Sequence, residues 1–324
     1  MGANSILRGV SKYVKALNNL SKESGLSKFY LYSDCIWSYL RYGCVLNQYT
    51  EGRFYLRREF ERKHILTYRK WKKVIRYNDP KFIHILKDKI TFNQFFSKYV
   101  GREWLDLTTA SFDDFYGFIE RHKKVFVKPI DGLEGDGCHI MEYEDGVDYH
   151  DIFERMKKKR TLIEELVIQH PDMVFGNNSV NTIRVYSIFD NKVKKGVCFK
   201  TTLRAGVGSS IVDNSHFGGV SYEIDLQSGR IISKGWGHQH QQGVITHPET
   251  NICMLGREIP YWKEAIQMCE DAAQMIPQVR YIGWDVAITQ NGPILIEGNN
   301  TPDLDIMEFV GNYGYYDIIK SHLK

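Results

Sequence analysis

Three short turns, each lying between two apolar runs, constrain the fold of this chain more than any other feature. The turns are Asp190-Asn191, Gln227-Ser228-Gly229 and Gln290-Asn291-Gly292. Tight turns of this composition join neighbouring antiparallel strands, whereas parallel strands need a long crossover connection. The sequence therefore predicts an α+β fold built on antiparallel sheets, and it disfavours a doubly wound parallel sheet.

Apolar and β-branched residues concentrate in short runs after residue 80, where helical stretches alternate with them. The predicted strands are Val125–Pro129, Thr161–Gln169, Thr182–Phe189, Lys194–Thr202, Val220–Asp225, Arg230–Lys234, Trp284–Thr289 and Ile294–Glu297. The clearest helix of this region is Tyr261–Met275, which ends before Pro277 because proline cannot continue a helix.

The first 78 residues differ from the rest of the chain in charge. They carry 16 Lys and Arg against 5 Asp and Glu, a net charge of +11, whereas residues 79–324 carry −7 and the whole chain +4. Apolar spacing predicts two helices in the basic part, Phe29–Leu46 and Phe54–Tyr77. We therefore predict a basic helical domain over 1–78 and a second domain over 79–324, divided by the turn at Asn78-Asp79-Pro80.

The basic residues of 53–76 have two interpretations. They form an ordinary solvated helix face, or they bind an anionic surface such as the head groups of a membrane. No RNA- or DNA-binding motif accompanies the charge, so nucleic acid is not an expected partner.

Composition excludes several classes of protein. Hydrophobic residues make up 43% and charged residues 25%, so disorder and coiled coil do not describe the whole chain. No run approaches the roughly 18 apolar residues of a membrane span, and the N-terminal sequence has no signal-peptide core. The six cysteines form no CxxC pair, which is typical of reduced thiols. We expect a cytoplasmic protein, peripheral at the inner face of the membrane if the basic segment binds lipid.

Two carboxylates and an amide near the C-terminus have the chemistry of a magnesium site. Asp285 lies near the start of one predicted strand, Glu297 at the end of the next, and Asn299 two residues later. Because antiparallel neighbours bring strand ends together, the two carboxylates should lie close to each other, and such oxygen ligands suit Mg²⁺. The alternative is a pair of ordinary acidic residues beside a hairpin turn.

A glycine-rich segment after an apolar strand is a candidate phosphate site. The strand carries Lys128, and the following Asp131–Gly137 contains Gly132, Gly135 and Gly137. Glycine lets backbone N–H groups approach phosphate oxygens, and a lysine neutralises part of their charge. The spacing matches neither a P-loop nor a Rossmann fingerprint, so a plain surface turn is the alternative.

Charged residues also interrupt two other apolar regions. Glu164 and Glu165 lie in LIEELV, which is either a strand edge that binds adenine or an edge with solvated acids. Arg184, Lys200 and Arg204 lie on predicted strands that flank a loop rich in Gly and Ser. Cations in such a place suit an anionic reacting centre, and surface ion pairs are the alternative.

In their order along the chain, these segments resemble the ATP-grasp superfamily of carboxylate–amine ligases, and most closely its sugar-transfer-associated branch. The resemblance covers about Pro80 to the C-terminus, roughly three quarters of the sequence. It implies an ATP-grasp fold, in which two α+β subdomains with antiparallel sheets grip ATP, with subdomains of about 79–170 and 171–324. The basic helical segment replaces the α/β domain that usually precedes this fold.

The resemblance implies roles for the nucleotide-binding residues. Lys89 in KDKITF matches the first nucleotide lysine, and Lys128 in VFVKP matches the second. The glycine-rich loop matches the segment that covers the phosphates. The implied contacts to adenine and ribose are Glu164, Glu165, Val167 and Asp172, where Asp172 takes the place of a ribose-binding glutamate.

Catalytic, substrate and metal residues follow from the same resemblance. Arg184 matches a phosphate-contacting arginine, and Arg204 one that stabilises the acyl phosphate or tetrahedral species. Lys200 is added as a catalytic candidate because of its charge beside the loop rich in Gly and Ser, not because of the resemblance. The spacing R-x9-N-x3-GG assigns substrate binding to Asn214, Gly218 and Gly219. His216 lies between Asn214 and Gly218 and is therefore placed near the substrate, as a candidate general base or an ordinary polar loop residue. The pattern D-x11-E-x-N assigns the metal to Asp285, Glu297 and Asn299.

The implied activity is ATP-dependent amide formation with ATP and two Mg²⁺ ions. A carboxylate takes the γ-phosphoryl group, and an amine displaces phosphate from the acyl phosphate. The family name points to small carboxylate and amine substrates linked to a sugar or glycan precursor, such as an amino acid joined to a uronic acid or an acyl group placed on an amino sugar. The alternatives are a kinase of the same fold acting on a small polar acceptor, and a non-catalytic nucleotide- or glycan-binding protein.

Overall fold

The computed structural model describes residues 3–131, 137–176, 179–208, 219–237, 243–311 and 314–323. The α-helices are α1 (Ala3–Ser24), α2 (Lys28–Tyr42), α3 (Leu46–Thr50), α4 (Glu59–Arg62), α5 (Tyr68–Val74), α6 (His84–Lys87), α7 (Lys89–Phe95), α8 (Ser97–Val100), α9 (Phe112–His122), α10 (His150–Lys158), α11 (Trp262–Met275), α12 (Leu304–Phe309) and α13 (Tyr316–Leu323). The strands are β1 (Trp104–Asp106), β2 (Lys124–Pro129), β3 (His139–Glu142), β4 (Thr161–Glu165), β5 (Thr182–Asp190), β6 (Lys195–Ala205), β7 (Val220–Glu223), β8 (Tyr281–Thr289) and β9 (Gly292–Asn299).

The strands form two sheets. A four-stranded sheet has the order β1-β4-β2-β3, and a five-stranded sheet has the order β7-β6-β5-β8-β9. All neighbouring strands within them are antiparallel, which confirms the predicted α+β class with antiparallel sheets. Two of the three predicted turns join paired strands, since Asp190 ends β5 beside β6 and Gly292 begins β9 beside β8.

The third predicted turn, Gln227-Ser228-Gly229, lies after β7 in a region of isolated bridges. One strand prediction in this region is wrong. The predicted strand Arg230–Lys234 is not a strand, because it makes only isolated bridges such as Ile224 with Ile231 and Arg230 with Glu258. The predicted strand Thr161–Gln169 also ends earlier, at Glu165.

Each sheet has its own hydrophobic core. In the four-stranded sheet, Val125, Val127 and Ile163 pack against aromatic residues of α9 and α10. In the five-stranded sheet, alternate apolar residues such as Ile183 and Val185 pack against α11. Because successive side chains in a strand point to opposite faces, the second face of the five-stranded sheet remains available for polar residues.

The predicted single helix over Phe54–Tyr77 is wrong. The segment instead contains a 3₁₀ turn at Phe54–Leu56, α4, α5 and a further 3₁₀ turn at Ile75–Tyr77. The chain is extended at Thr67, with ψ 163°, and it buries Leu66 and Thr67 completely. Leu66 also donates its backbone N–H to Glu308 Oε1 at 2.8 Å, so tertiary contacts outweigh the helical pattern here.

The predicted helix Phe29–Leu46 ends earlier, at Tyr42. Gly43 caps α2 in the left-handed conformation, with φ 71°, and a Cβ at this position would lie 2.2 Å from the Arg69 side chain. Glycine is the residue that meets both conditions without strain.

The basic N-terminal part contacts the C-terminal helices. Asn47 Nδ2 donates to Asp305 Oδ2 at 2.9 Å, and Leu66 packs in one cluster with Tyr186 and Ile319. The domain boundary at residue 78 stays a prediction. None of the described helices is long and apolar enough to cross a membrane.

Candidate functional site

One face of the five-stranded sheet collects the predicted charged residues. Arg184 on β5 lies opposite Thr202 on β6 and opposite Asp285 on β8, and Asp285 lies opposite Glu297 on β9. Residues directly opposite each other in antiparallel strands project from the same face. The alternation that sends Ile183 and Val185 into the core therefore brings the two carboxylates, Asp285 and Glu297, together on the other face. We call them the carboxylate pair.

Two arginines hold Asp285. Arg184 bonds it through Nε to Oδ1 and through Nη2 to Oδ2 at 3.1 Å, and Arg204 Nη1 donates to Oδ2 at 3.0 Å. Asp285 is buried. Burial alone would raise the pKa of Asp285, but the charges of Arg184 and Arg204 overcome this effect and lower the pKa to about 2. Asp285 is therefore an ionised anchor at neutral pH.

Glu297 has the opposite electrostatic setting. Its side chain is exposed, yet the surrounding protein desolvates it, and this effect together with the charge of Asp285 raises the pKa of Glu297. The exposed side chain keeps contact with water, which limits the desolvation, whereas the repulsion by Asp285 remains. Asn299 Nδ2 donates to Glu297 Oε1 at 3.0 Å, which places the amide beside the carboxylate pair.

The donor set fits Mg²⁺. Two carboxylates and an amide are oxygen donors, and a dication would relieve the repulsion between Asp285 and Glu297. Among the described residues, no group of three His, Cys, Asp or Glu side chains could hold a metal ion, and the candidate set here is two carboxylates with the amide oxygen of Asn299. The arginines on Asp285 do not prevent this, because Oδ2 accepts from both arginines whereas Oδ1 accepts from Arg184 alone of the two and keeps a second lone pair for a metal.

The two predicted nucleotide lysines lie at the four-stranded sheet. Lys89 begins α7 behind Asp88, whose Oδ1 accepts the Thr91 N–H at 2.7 Å and so caps the helix. Lys89 Nζ donates to the carbonyl oxygens of Pro129 and Ile130 at 2.6 and 3.2 Å, at the end of β2. Burial lowers the pKa of Lys89.

Glu164 is a buried anion with several donors. Lys128 Nζ lies 2.6 Å from its Oε2, and the Arg102 guanidinium makes two bonds to it, each 3.0 Å long. Asn93 Nδ2 also donates to it at 3.2 Å. Burial opposes ionisation, but the charges of Arg102 and Lys128 hold the pKa of Glu164 well below its usual range.

Sequence reasoning missed Arg102, which links the two sheets. Besides Glu164 on β4, it donates Nη1 to Leu295 O at 2.8 Å and Nη2 to Ile296 O at 3.4 Å, both on β9. No local motif marks this arginine, because its partners are distant in sequence. Asn93 was missed for the same reason.

Electrostatic interactions connect the groups of the two sheets. The pKa of Lys89 responds, after burial, to the charges of Lys128, Glu297 and Glu164. The same four groups act on the half-buried Cys138, whose pKa is raised by burial. Arg102 bonds both Glu164, the partner of Lys128, and the carbonyl of Ile296, which precedes Glu297, so the structure brings Lys128 and Glu164 near the Glu297 end of the carboxylate pair.

Lys200 and Asp172, two other predicted site residues, bond partners other than the carboxylate pair. Lys200 is fully buried; its Nζ lies 2.8 Å from Glu223 Oε1 and from Val310 O, and 4.8 Å from the centre of the Tyr315 ring. Asp172 is exposed, and its carbonyl accepts Arg257 Nη2 at 2.9 Å.

The remaining predicted residues follow the ends of strands. Glu165 ends β4, and its N–H donates to Glu103 O at 2.9 Å, while Val167 is half-buried just beyond it. Gly137 has φ 74°, and Gly219 precedes β7. Outside the described residues lie Gly132, Gly135, Asn214, His216 and Gly218.

Two buried hydroxyls lie on the same face as the arginines. Thr202 lies opposite Arg184 and Glu223, and Ser221 lies opposite Arg204. Within the described part of the chain, Thr202 Oγ1 and Ser221 Oγ make no hydrogen bond. Buried hydroxyls usually have partners, so these two are unsatisfied hydrogen-bonding groups beside the arginines.

A family model matches most of this chain. A family model described as sugar-transfer associated ATP-grasp matches residues 69–321. This match confirms the family resemblance and the fold that it implies. No curated protein matches the chain.

Solved structures show distant similarity. The ATP-grasp ligase PsnB, complexed with a phosphomimetic variant of its minimal precursor, Mg and ADP, has 14% identity and a TM-score of 0.46, over 76% of this chain and 62% of that one. D-alanyl-alanine synthetase A from Vibrio cholerae O1 biovar eltor str. N16961 has 14% identity and a TM-score of 0.44, over 76% of this chain and 68% of the synthetase. N5-carboxyaminoimidazole ribonucleotide synthetase from Thermotoga maritima has 13% identity and a TM-score of 0.40, over 71% of this chain and 48% of that synthetase. The chain thus spans about 62% of the length of PsnB.

Proposed function

Because the chain belongs to the sugar-transfer-associated ATP-grasp family, we propose that it is an ATP- and Mg²⁺-dependent ligase that joins a carboxylate to an amine. The observation that carries the proposal is the convergence of two lysines from one sheet region with a carboxylate pair from the other. Lys89 and Lys128 supply positive charge for phosphates, and Asp285 and Glu297 supply the oxygen ligands of a metal.

The lysines bind the phosphates of ATP in this proposal. Glu164 holds Lys128 at the end of β2, and the carbonyls of Pro129 and Ile130 hold Lys89 nearby. A lysine that already rests on weak neutral acceptors can exchange them for phosphate oxygens at small cost. The family resemblance assigns the covering of the phosphates to the glycine-rich segment 131–137, of which residues 132–136 lie outside the described part of the chain.

Asp285, Glu297 and Asn299 would hold Mg²⁺, and we propose two ions. When bound, the metal neutralises charge on the β- and γ-phosphates. Arg184 and Arg204 keep Asp285 ionised and oriented for this purpose, since both bond its carboxylate.

The reaction begins when a substrate carboxylate attacks the γ-phosphorus of ATP, which forms an acyl phosphate and releases ADP. An amine then attacks the carbonyl carbon, loses a proton and expels phosphate, so an amide remains. Arg204 stabilises the negative oxygen of the tetrahedral species, and Arg184 contacts the phosphate. The hydroxyls of Thr202 and Ser221 lie on the same face and donate to the anionic substrate.

The family description supports a sugar-linked substrate, either an amino acid joined to a uronic acid or an acyl group placed on an amino sugar. The test is an ADP-release screen of sugar acids and amino acids, alone and in pairs. We expect ADP release that needs both a carboxylate and an amine, with an amide as product. Turnover with a hydroxyl acceptor and no amine would indicate a kinase, and the absence of turnover despite nucleotide binding would indicate a binding protein; both results would contradict the proposal.

Replacing Lys128 by Met is expected to weaken ATP binding at least about tenfold, because one of two cations near the phosphates is lost. Isothermal titration with a non-hydrolysable ATP analogue measures the effect. Lys124→Met is the matched control, since Lys124 lies on the same strand but is exposed and paired with Glu142. Equal affinities of the two variants would contradict the assignment of Lys128.

A further inference from the structure

Helix α2 is apolar on both sides. One side faces the N-terminal core, where Leu31, Cys35 and Tyr42 are buried. On the opposite side Phe29, Ile36 and Leu40 are 86%, 60% and 62% exposed. These three positions are separated by seven and four residues, so they form one stripe along the helix. A helix at the surface of a protein normally carries polar residues on that side.

Aromatic residues with polar atoms border this stripe. Trp37 and Tyr39 are each 53% exposed, and Tyr30 is 43% exposed. Tryptophan and tyrosine concentrate where an apolar medium meets water, because their rings are apolar and their N–H or O–H groups stay hydrated. We call the set of Phe29, Ile36, Trp37 and Leu40 the apolar face of α2.

Positive charge surrounds the apolar face. Lys28 and Arg41 are exposed at the two ends of α2, and Arg69 lies over the Tyr39 ring, 6.0 Å from its centre. Over residues 10–78, 12 Lys and Arg side chains are exposed against 3 Glu. A second copy of the chain would bring an equally basic surface, which would repel, whereas an anionic surface would attract.

Helix α2 is held rigidly with the apolar face outward. Asp34 on α2 bonds Arg62 through both carboxylate oxygens, at 2.6 and 2.9 Å, and Arg62 is buried. Tyr49 Oη donates to the same carboxylate at 2.9 Å. These bonds lie on the side away from the apolar face, so the helix cannot rotate to bury the stripe without breaking them.

We propose that α2 binds the surface of an anionic membrane, with its apolar face inserted among the lipid head groups and upper acyl chains. Apolar insertion and attraction to anionic lipid act together in helices of this kind. Residues 53–76 supply part of the positive charge, and the apolar face supplies the anchor that a purely basic segment lacks. This inference does not depend on the proposed ligase activity.

Vesicle co-sedimentation of the full chain tests the proposal. We expect the wild type to bind vesicles of phosphatidylcholine with about 30% phosphatidylglycerol at least about tenfold more strongly than phosphatidylcholine alone, and to dissociate as salt is raised. The double substitution Ile36→Asp and Leu40→Asp should weaken binding at least about tenfold. The matched control is Val193→Asp, in the turn between β5 and β6, because Val193 is an equally exposed apolar residue at 58%.

Tryptophan fluorescence supplies a second measurement. Lipids brominated in the upper acyl chain should quench the emission of Trp37, and Trp37→Phe should remove most of that quenching. Equal vesicle binding by the wild type and the double variant would overturn the proposal. So would a dimer, detected by light scattering, that the double substitution dissociates while neither protein binds vesicles, because the apolar face would then be a contact between copies.

Discussion

Replacing Glu297 by Gln is expected to lower Mg²⁺-dependent ADP formation at least about a hundredfold while leaving the fold intact. The substitution removes one charge of the carboxylate pair but keeps the side-chain size and an acceptor for the Asn299 amide. Because Glu297 is exposed and repelled by Asp285, the loss of its charge does not weaken the folded state. A coupled assay of ADP release measures the rate, and thermal unfolding checks the fold.

The matched control for this experiment is Glu142→Gln. Glu142 is also a strand glutamate, but it lies on β3 and pairs with Lys124 at the surface. We expect the Glu142→Gln variant to form ADP at the same rate as the wild type. If the Glu297 variant released ADP at the wild-type rate, the carboxylate pair would not be the metal site.

Replacing Arg102 by Met is expected to destabilise the protein by about 3 kcal/mol or more, the usual cost of breaking a buried ion pair. The change leaves the buried Glu164 carboxylate with fewer donors and removes the bonds to Leu295 O and Ile296 O that link the two sheets. Unfolding in urea measures the loss.

Two further variants sharpen the test of Arg102. Arg121→Met should cost less than about 1 kcal/mol, because Arg121 is 60% exposed and pairs with Glu103 at the surface. Adding Glu164→Gln to Arg102→Met should restore part of the stability, since it removes the uncompensated charge. A loss for Arg102→Met no greater than for Arg121→Met would mean that Arg102 does not stabilise Glu164.

The stability that Glu164 contributes depends on pH in a defined direction. Its pKa in the folded protein lies well below the value of about 4.3 for an unfolded chain. The contribution of Glu164 to stability is therefore complete above its pKa in the unfolded chain and is lost as the pH falls toward its pKa in the folded protein. Without Arg102 the folded pKa rises, so urea unfolding should show a weaker dependence on pH in this acidic range.

Local patterns predicted the carboxylate pair correctly because all the necessary information lies in one hairpin. The Asn-Gly turn joins β8 to β9, and the register then brings Asp285 opposite Glu297. The antiparallel order of the sheets followed from turns of the same kind. The assignment of these residues to a metal, and of Lys89 and Lys128 to phosphates, stays a prediction.

Local patterns failed where distant contacts decide the backbone. The residues of 54–77 have helical spacing, yet the bond from Leu66 to Glu308 and the burial of Thr67 break the segment into short pieces. Lys200 was grouped with Arg184 and Arg204 because all three are cations that flank a loop rich in Gly and Ser. The structure pairs Lys200 with Glu223, a partner that the strand pattern did not predict, and its catalytic assignment stays a prediction.

The sequence by itself determined the antiparallel sheets, the basic N-terminal part and the hairpin that aligns Asp285 with Glu297. Turn chemistry, charge and side-chain alternation are properties of neighbouring residues, so they can be read directly. Only the tertiary structure decided that Arg102 bonds Glu164 across 62 residues of chain, and that α2 leaves Ile36 and Leu40 exposed. Such contacts depend on how separate elements pack, because burial of the largest apolar area selects which faces meet and which remain open.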